Sequence, residues 1–147
     1  MANEFFQEGD VFVTSIYDTT ATAYQPIGCS ESDTLSETLE IDSFQTKCEP
    51  GVIKKDPGAS DYEITGEGRF IDENVDTGRQ SYAKLSGYLR NKTRILWRQS
   101  TGVAATPFEY GYGYVSACEK TGESGTKITY SYTISGDSAI VTTDPEV

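Results

Sequence analysis

The chain has 147 residues, which is long enough for one domain with a substantial hydrophobic core. Its formal net charge of −11 argues against binding to nucleic acid through neutralised phosphates. The sequence has no histidine, which excludes the Ser-His and Cys-His catalytic arrangements and argues against a zinc site. Its three cysteines are odd in number and widely spaced, so reduced, partly buried thiols are expected rather than a disulfide.

Neither a membrane helix nor a secretory signal peptide is expected. No run approaches the roughly 18 apolar residues that a membrane-spanning helix needs. The first ten residues carry acidic side chains where a signal peptide has basic ones, so synthesis in a cytoplasm is expected. Ten tyrosines and fourteen glycines, with one methionine and one tryptophan, are typical of a β-rich protein.

The acidic side chains are unevenly distributed. Residues 1–50 carry ten acidic side chains and one lysine, whereas residues 51–100 carry seven acidic and nine basic ones. Residues 101–147 carry six acidic and two basic side chains. This pattern indicates either acids that only maintain solubility or separate surfaces of unlike charge.

Strands are expected before residue 43, at residues 9–17, 25–29 and 33–42. The second is expected to be an edge strand or the entry to a strand, because it is short and contains Pro26. The third alternates between apolar and polar residues, so one face should be buried and the other wet. The residues expected on its buried face are Leu35, Leu39 and Ile41.

Residues 43–60 predict a long loop or an extended arm. They contain two Pro-Gly pairs and show no steady period. Loops of this length inside a compact domain tend to be functional. The apolar residues Phe44, Val52 and Ile53 need cover, and another subunit is one source of it.

Residues 76–91 are the only segment with a convincing helical period. The residues on one face of that helix are Tyr82, Leu85, Ser86 and Leu89. Asp76, and Thr77 with Gln80, have the types and spacing that cap a helix start. Because the other segments are expected to be strands, this single amphipathic helix is expected to lie across a sheet face or a barrel mouth.

Further strands are expected at residues 61–71, 93–99, 107–119, 126–134 and 139–143. In residues 107–119 the aromatic residues share one face, and the glycines on the other face permit close approach. The whole pattern predicts a mainly β fold. It is an antiparallel β-sandwich or barrel-like core with one flanking α-helix and a long extended loop.

Signals for catalysis are weak. Glu63 and Glu67 share a strand face near Glu40, and paired carboxylates can hydrolyse glycosides. Acidic residues on a wet strand face are much more often simply solvated, so no enzymatic activity is expected. Binding of carbohydrate to exposed tyrosine rings is an alternative, although strict alternation of those tyrosines is more typical of core packing. The residues in question are Tyr110, Tyr112, Tyr114, Tyr130 and Tyr132.

Three blocks of the chain, in this order, carry a resemblance. Residues 27–43 read IGCSESDTLSETLEIDS, a short apolar strand, a Ser-rich turn and an alternating strand. The lone helix follows, and residues 113–141 form an aromatic strand, a Gly turn and a second alternating strand. In order and spacing, the blocks resemble the major tail tube protein family of long-tailed bacteriophages.

The resemblance implies a single tail-tube-like domain over residues 1–147, without the C-terminal immunoglobulin-like decoration domain of many relatives. It implies hexameric rings that stack into a hollow tube, through which DNA passes without specific binding. It also implies no enzymatic activity, no cofactor and no membrane. Partners would be further copies of the chain and tail proteins such as the tape measure and tail terminator. The location would be the virion tail, assembled in the host bacterial cytoplasm.

An acidic lumen would repel DNA phosphates, so polar strand faces are the candidates for its lining. The lumen candidates are Glu40, Asp42, Glu63 and Glu67. Candidates for contact between rings are Phe44, Lys47, Val52, Ile53, Lys54 and Lys55. Sheets joined edge to edge around a ring would form a continuous barrel. A carbohydrate-binding module and another virion protein, for tail completion or capsid decoration, remain alternatives.

Overall fold

A computed structural model describes residues 12–28, 30–70, 79–100 and 108–145. In these ranges the chain forms seven strands and one helix. The strands are β1 Val13–Asp18, β2 Ala23–Pro26, β3 Ser30–Phe44, β4 Lys54–Arg69, β5 Arg94–Ser100, β6 Glu109–Thr121 and β7 Thr129–Gly136. The helix is α1 Tyr82–Arg90, between β4 and β5. No helix within those ranges has the length and apolar content to cross a membrane.

All seven strands belong to one antiparallel sheet in the order β2-β1-β5-β6-β7-β4-β3. The sheet curls over a shared core, because Ile16 of β1 and Ile64 of β4 belong to one buried cluster. The hydroxyl of Tyr130 in β7 donates to the carbonyl oxygen of Gly28, which follows β2. The prediction of a mainly β, antiparallel fold with one flanking helix is confirmed.

Glycines make room for the largest core side chains. A Cβ atom on Gly111 would lie 2.7 Å from the ring of Trp97, which is fully buried. A Cβ atom on Gly66 would lie 2.5 Å from the hydroxyl oxygen of Tyr132. Both distances are too short for real atoms, so glycine at these positions permits the aromatic packing, as the sequence predicts for residues 107–119.

The helix begins later than predicted. Its N-cap is Ser81, whose hydroxyl accepts a hydrogen bond from the backbone N–H of Lys84 at 3.4 Å. Gln80 does not cap the helix, because it is buried and forms a bridge with Ile27. Asp76 and Thr77 lie outside the described residues. Leu85 and Ser86 are the buried helical residues, as their face predicts.

The long loop predicted for residues 43–60 is mostly strand. β3 continues to Phe44 and β4 starts at Lys54, which leaves residues 45–53 as the loop. Pro57 is accommodated because β7 pairs only with residues 63–69 of β4, so β4 is a free edge at Pro57. A register shift between Leu39 and Ile41 accompanies the second Pro-Gly pair.

This hairpin projects beyond the core. Leu39 and Ile41 were expected to be buried, but they are 51% and 54% exposed. The reason is that the last pairing of β4 with β7 is Glu63 with Ser135, so no third strand supports the hairpin further out. We call residues 37–61 the arm, and the opposed pair Glu37 and Tyr62 the arm root.

Two predictions for the end of the chain are also wrong in their bounds. β7 begins at Thr129, and Ile128 is exposed in the preceding turn. Residues 139–143 do not form a strand, because only Val141 pairs, in a bridge with Tyr110.

Candidate assembly surfaces

One face of β3, β4 and β7 consists mainly of hydroxyl and carboxylate side chains, and we call it the polar face. Successive strand residues point to opposite faces, so these residues alternate with core residues such as Ile64 and Tyr132. Its hydroxyl residues in paired positions are Ser32, Thr34, Ser36, Thr38, Thr65, Thr129, Ser131, Thr133 and Ser135. This composition suits a surface in contact with water.

Two lumen candidates lie on the polar face within the body of the sheet. Glu63 is opposite Ser36, and Glu67 is opposite Ser32. Both glutamates are exposed. The sequence-based prediction that they share one strand face is therefore met by the register of β3 and β4.

The other two lumen candidates lie further out, on the arm. Glu40 and Asp42 continue the alternation of Thr38 along β3. A Cβ atom on Gly58 would lie 3.4 Å from the Cβ atom of Glu40, which places that part of β4 beside Glu40. Asp42 is directly opposite Asp56, so carboxylates face each other across the arm. The polar face thus extends from the sheet onto the arm.

The opposite face and the tip of the arm are apolar. Leu39 and Ile41 continue the core side of β3, where Leu35 is still partly buried. Of the predicted contacts between rings, Phe44 ends β3, and Val52 and Ile53 lie in the loop, all exposed. Sequence reasoning missed Leu39 and Ile41 as surface residues because their alternation is identical to that of a buried strand.

The candidate lysines lie at the end of the arm, beside these apolar residues. Lys54, the first residue of β4, forms an ion pair with Glu49 of the preceding loop and lies opposite Phe44. Lys55 donates from Nζ to the hydroxyl of Ser43 at 3.0 Å. Lys47 is exposed in the loop. The structure therefore groups all six predicted contact residues at the tip of the arm.

A partly buried carboxylate joins β3 to the core. The hydroxyl of Tyr132 donates to Oδ1 of Asp33 at 2.7 Å, and the hydroxyl of Ser30 donates to the same oxygen at 3.0 Å. Burial raises the pKa of Asp33, although both hydrogen bonds act in the opposite direction. Nothing in the sequence pattern identifies this contact, because its residues are 99 positions apart.

A polar network holds the start of α1 against the first two strands. Nε2 of Gln80 donates to Oε1 of Gln25 at 2.7 Å, and the hydroxyl of Tyr88 donates to Oε1 of Gln80 at 2.7 Å. Lys84 forms an ion pair with Asp18 at 3.5 Å. This network gives Gln80 a structural role that its position before an amphipathic helix did not indicate.

The tyrosines considered for carbohydrate binding do not form an exposed platform. The buried members of that set are Tyr110, Tyr130 and Tyr132. The guanidinium of Arg94 lies 4.2 Å from the ring centre of Tyr112, and Tyr114 is 40% exposed. Within the described ranges, no group of three acidic or cysteine side chains is arranged to hold a metal ion.

No family model matches the sequence, and no curated protein matches it. Among solved structures, the tail of an empty gene transfer agent particle, refined with C6 symmetry, has a TM-score of 0.76 and 14% identity. That match covers 95% of this chain and 100% of the other. The SPP1 tail tube has a TM-score of 0.66 and 11% identity, over 89% of this chain and 76% of the other.

The chain has the tail-tube fold. The fold expected from the sequence resemblance is thus confirmed. The anti-feeding prophage baseplate shares it, with a TM-score of 0.63 and 10% identity over 96% of this chain and 97% of the other. In this fold, the polar face and the projecting arm are both exposed to solvent in a single copy.

Proposed function

We propose that the protein is a non-enzymatic structural component of a phage-type virion tail. Its copies form hexameric rings, and the rings stack into a tube whose acidic lumen conducts DNA during ejection. The similarity to a gene transfer agent tail with C6 symmetry supports six copies in a ring. The similarity to the SPP1 tail tube supports the stacking of rings.

The polar face is the observation that carries this proposal. Glu63 and Glu67 lie on an exposed sheet surface, and the same face continues onto the arm through Glu40 and Asp42. The basic residues of β3, β4 and β7 lie only at the ends of β4, where Arg69 pairs with Glu31 at 2.7 Å. A lumen with this surface repels phosphates, so DNA passes without adhering.

The strand edges suggest how neighbouring copies join. β3 is an edge strand, and within the described residues β5 pairs with β6 only as far as Tyr114. Residues 115–121 of β6 can therefore accept β3 of the next copy beside α1. The strands β3, β4, β7 and β6 alternate in direction, so this contact is antiparallel. β2, the other edge strand of the sheet, is less suitable for pairing with the next copy, since it has only four residues and ends at Pro26.

The arm supplies the contact between rings in this proposal. Its tip carries Phe44, Val52 and Ile53, which another copy would cover. Lys47, Lys54 and Lys55 lie around them and would meet acidic side chains of that copy. Proteins with hydrophobic surface of this kind commonly use it for association.

The remaining features of the proposal concern location and partners. The protein is assembled in the host bacterial cytoplasm and remains in the virion tail. Besides its own copies, it meets tail proteins such as the tape measure and the tail terminator. It needs no cofactor, and DNA is a transported molecule rather than a specific ligand.

Negative-stain electron microscopy of concentrated, pure protein tests the proposal. Stacked rings with a hollow centre are expected. The similarity to a baseplate favours a second candidate, a ring at one end of a tail, for which single closed rings that never stack are expected. A stable monomer that binds glycans would reject both and support the carbohydrate-binding alternative.

A further inference from the structure

Tyr62 marks the point at which the arm leaves the body of the protein. It is 8% exposed, whereas its partner across the hairpin, Glu37, is exposed. From Lys54 to Asp61 no residue of β4 is buried. Tyr62 is therefore the last side chain of the arm strand to reach the core.

The hydroxyl of Tyr62 joins the arm root to strands that are not its sheet neighbours. It donates to the carbonyl oxygen of Tyr112 in β6 at 2.8 Å and accepts from Nε1 of Trp97 in β5 at 3.2 Å. The backbone N–H of Asp137 donates to the same carbonyl oxygen at 2.9 Å. β4 itself pairs only with β3 and β7, so this hydroxyl links the arm root to strands that lie two and three positions away in the sheet.

Two glycines form the slot that holds the Tyr62 ring. A Cβ atom on Gly111 would lie 2.7 Å from the Tyr62 hydroxyl oxygen, and a Cβ atom on Gly136 would collide with the ring itself. The ring also stands edge-on to Trp97, with 5.5 Å between ring centres. The position of Tyr62 is therefore fixed by shape as well as by hydrogen bonds.

Beside this fixed point, the neighbouring residues of the arm do not pack tightly against the segment that follows β7. A groove of about 540 Å³ lies between the root and residues 136–140. Its walls include Thr38, Ser60 and Asp61 on the arm side. The groove leaves open space on that side of the arm, and the hydroxyl of Tyr62 supplies the hydrogen bonds to β5 and β6 at this point.

We propose that Tyr62 is a positioning residue for assembly, which sets the direction in which the arm leaves the subunit. This inference rests on the proposed function of the arm as a contact between copies. A contact surface held in its bound direction loses less conformational entropy on association. Without the hydroxyl, shape alone would hold the ring, so the arm would sample a wider range of directions and tube formation would become less favourable although the core remains intact.

The test compares Tyr62→Phe with Tyr130→Phe. Tyr130 is the matched control, because it is also buried and its hydroxyl also donates to a backbone carbonyl, that of Gly28, away from the arm. Both variants should lower Tm, Tyr130→Phe by about 3 °C and Tyr62→Phe by more, because the second change also leaves Nε1 of Trp97 without its acceptor. Only Tyr62→Phe should raise the critical concentration for tube formation, by about fivefold or more.

Hydrogen exchange of the unassembled protein provides a second measurement. In Tyr62→Phe, amides next to the arm root, in residues 37–39 and 60–62, should exchange faster than in Tyr130→Phe. Equal exchange at these amides and equal critical concentrations in the two variants would overturn the inference while leaving the proposed function intact. Wild-type protein that never forms tubes would reject the proposed function, and the exchange comparison would still decide the role of Tyr62.

Discussion

The base and the arm of the β3–β4 hairpin have the same apolar–polar alternation, but their apolar residues differ in burial. At its base, Ile64 is fully buried and Leu35 packs against the core. On the arm, Leu39 and Ile41 follow the same alternation and are more than half exposed. Alternation therefore indicates which residues share a face, but whether that face is buried depends on a further strand or another molecule covering it.

This difference separates stability from assembly. Burying an aliphatic side chain stabilises a protein by about 1.5–3 kcal/mol, so residues of the base contribute to the fold of one copy. Apolar residues of the arm gain that contribution only when another copy covers them. Changes at the base should therefore alter unfolding, and changes on the arm should alter association.

Removing the arm should have the largest effect on assembly. Residues 39–60 are replaced by Asn-Gly, which suits a two-residue turn between the paired residues Thr38 and Asp61. The variant should fold as a monomer with nearly unchanged Tm, and microscopy should show no tubes. Tubes of normal length would contradict the role of the arm.

Two single substitutions separate the effect of the hairpin base on unfolding from the effect of the arm on association. Ile64→Ala should reduce the free energy of unfolding by about 2–5 kcal/mol, because it leaves a cavity in the core. Leu39→Ala should change it by less than about 0.5 kcal/mol and should instead raise the critical concentration for tubes. Denaturant unfolding measures the first effect and sedimentation the second. Equal destabilisation by both changes would show that Leu39 is covered within a single copy.

Charge reversal on the polar face tests the lumen assignment. Glu40→Lys with Glu63→Lys should permit tube formation but slow DNA ejection, because the changed lumen attracts phosphates. Glu109→Lys with Glu123→Lys is the control, since it changes the net charge equally at exposed positions outside the polar face of β3, β4 and β7. Ejection kinetics that do not differ between the two variants would place Glu40 and Glu63 outside the lumen.

The smallest expected effect concerns Asp33, the partly buried carboxylate at the base of the β3–β4 hairpin. Because burial raises the pKa of Asp33, the folded state binds its proton more tightly than the unfolded state. Stability therefore falls as the pH rises from the unfolded pKa, about 4, through the raised folded pKa. Asp33→Asn should remove this fall, with a difference below about 1 kcal/mol at pH 7 because the group is partly exposed. If the free energies of unfolding of the wild type and of Asp33→Asn change in parallel from pH 3 to pH 7, the prediction is wrong.

Much of the sheet could be predicted from the sequence because its core residues alternate with polar ones. The strand containing Ile95 and Trp97 and the close approach at Gly111 were identified correctly. The shared face of Glu63 and Glu67 also followed from period-two alternation alone. These features depend on local geometry, which a single strand expresses.

Features that depend on distant partners could not be predicted. Gln80 lost its expected capping role to contacts with Gln25 and Tyr88, because tertiary hydrogen bonds outweigh local spacing. The start of β4 at Lys54 was not predicted because Pro57 and Gly58 follow it, and a hairpin without a third strand tolerates that pair. The hydrogen bonds of Tyr62 with Trp97 and Tyr112 join residues that are far apart in the sequence, so no local sequence pattern indicates them.

The proposed function requires that the polar face of β3, β4 and β7 lines a tube. A cryo-electron microscopy reconstruction of assembled wild-type protein would show which surface lines it. We predict that Glu63 and Glu67 lie on the inner wall, with α1 on the outer side and the arm against another copy. A tube whose inner wall is formed by α1, or by β1 and β5, would show that the polar face does not line the lumen.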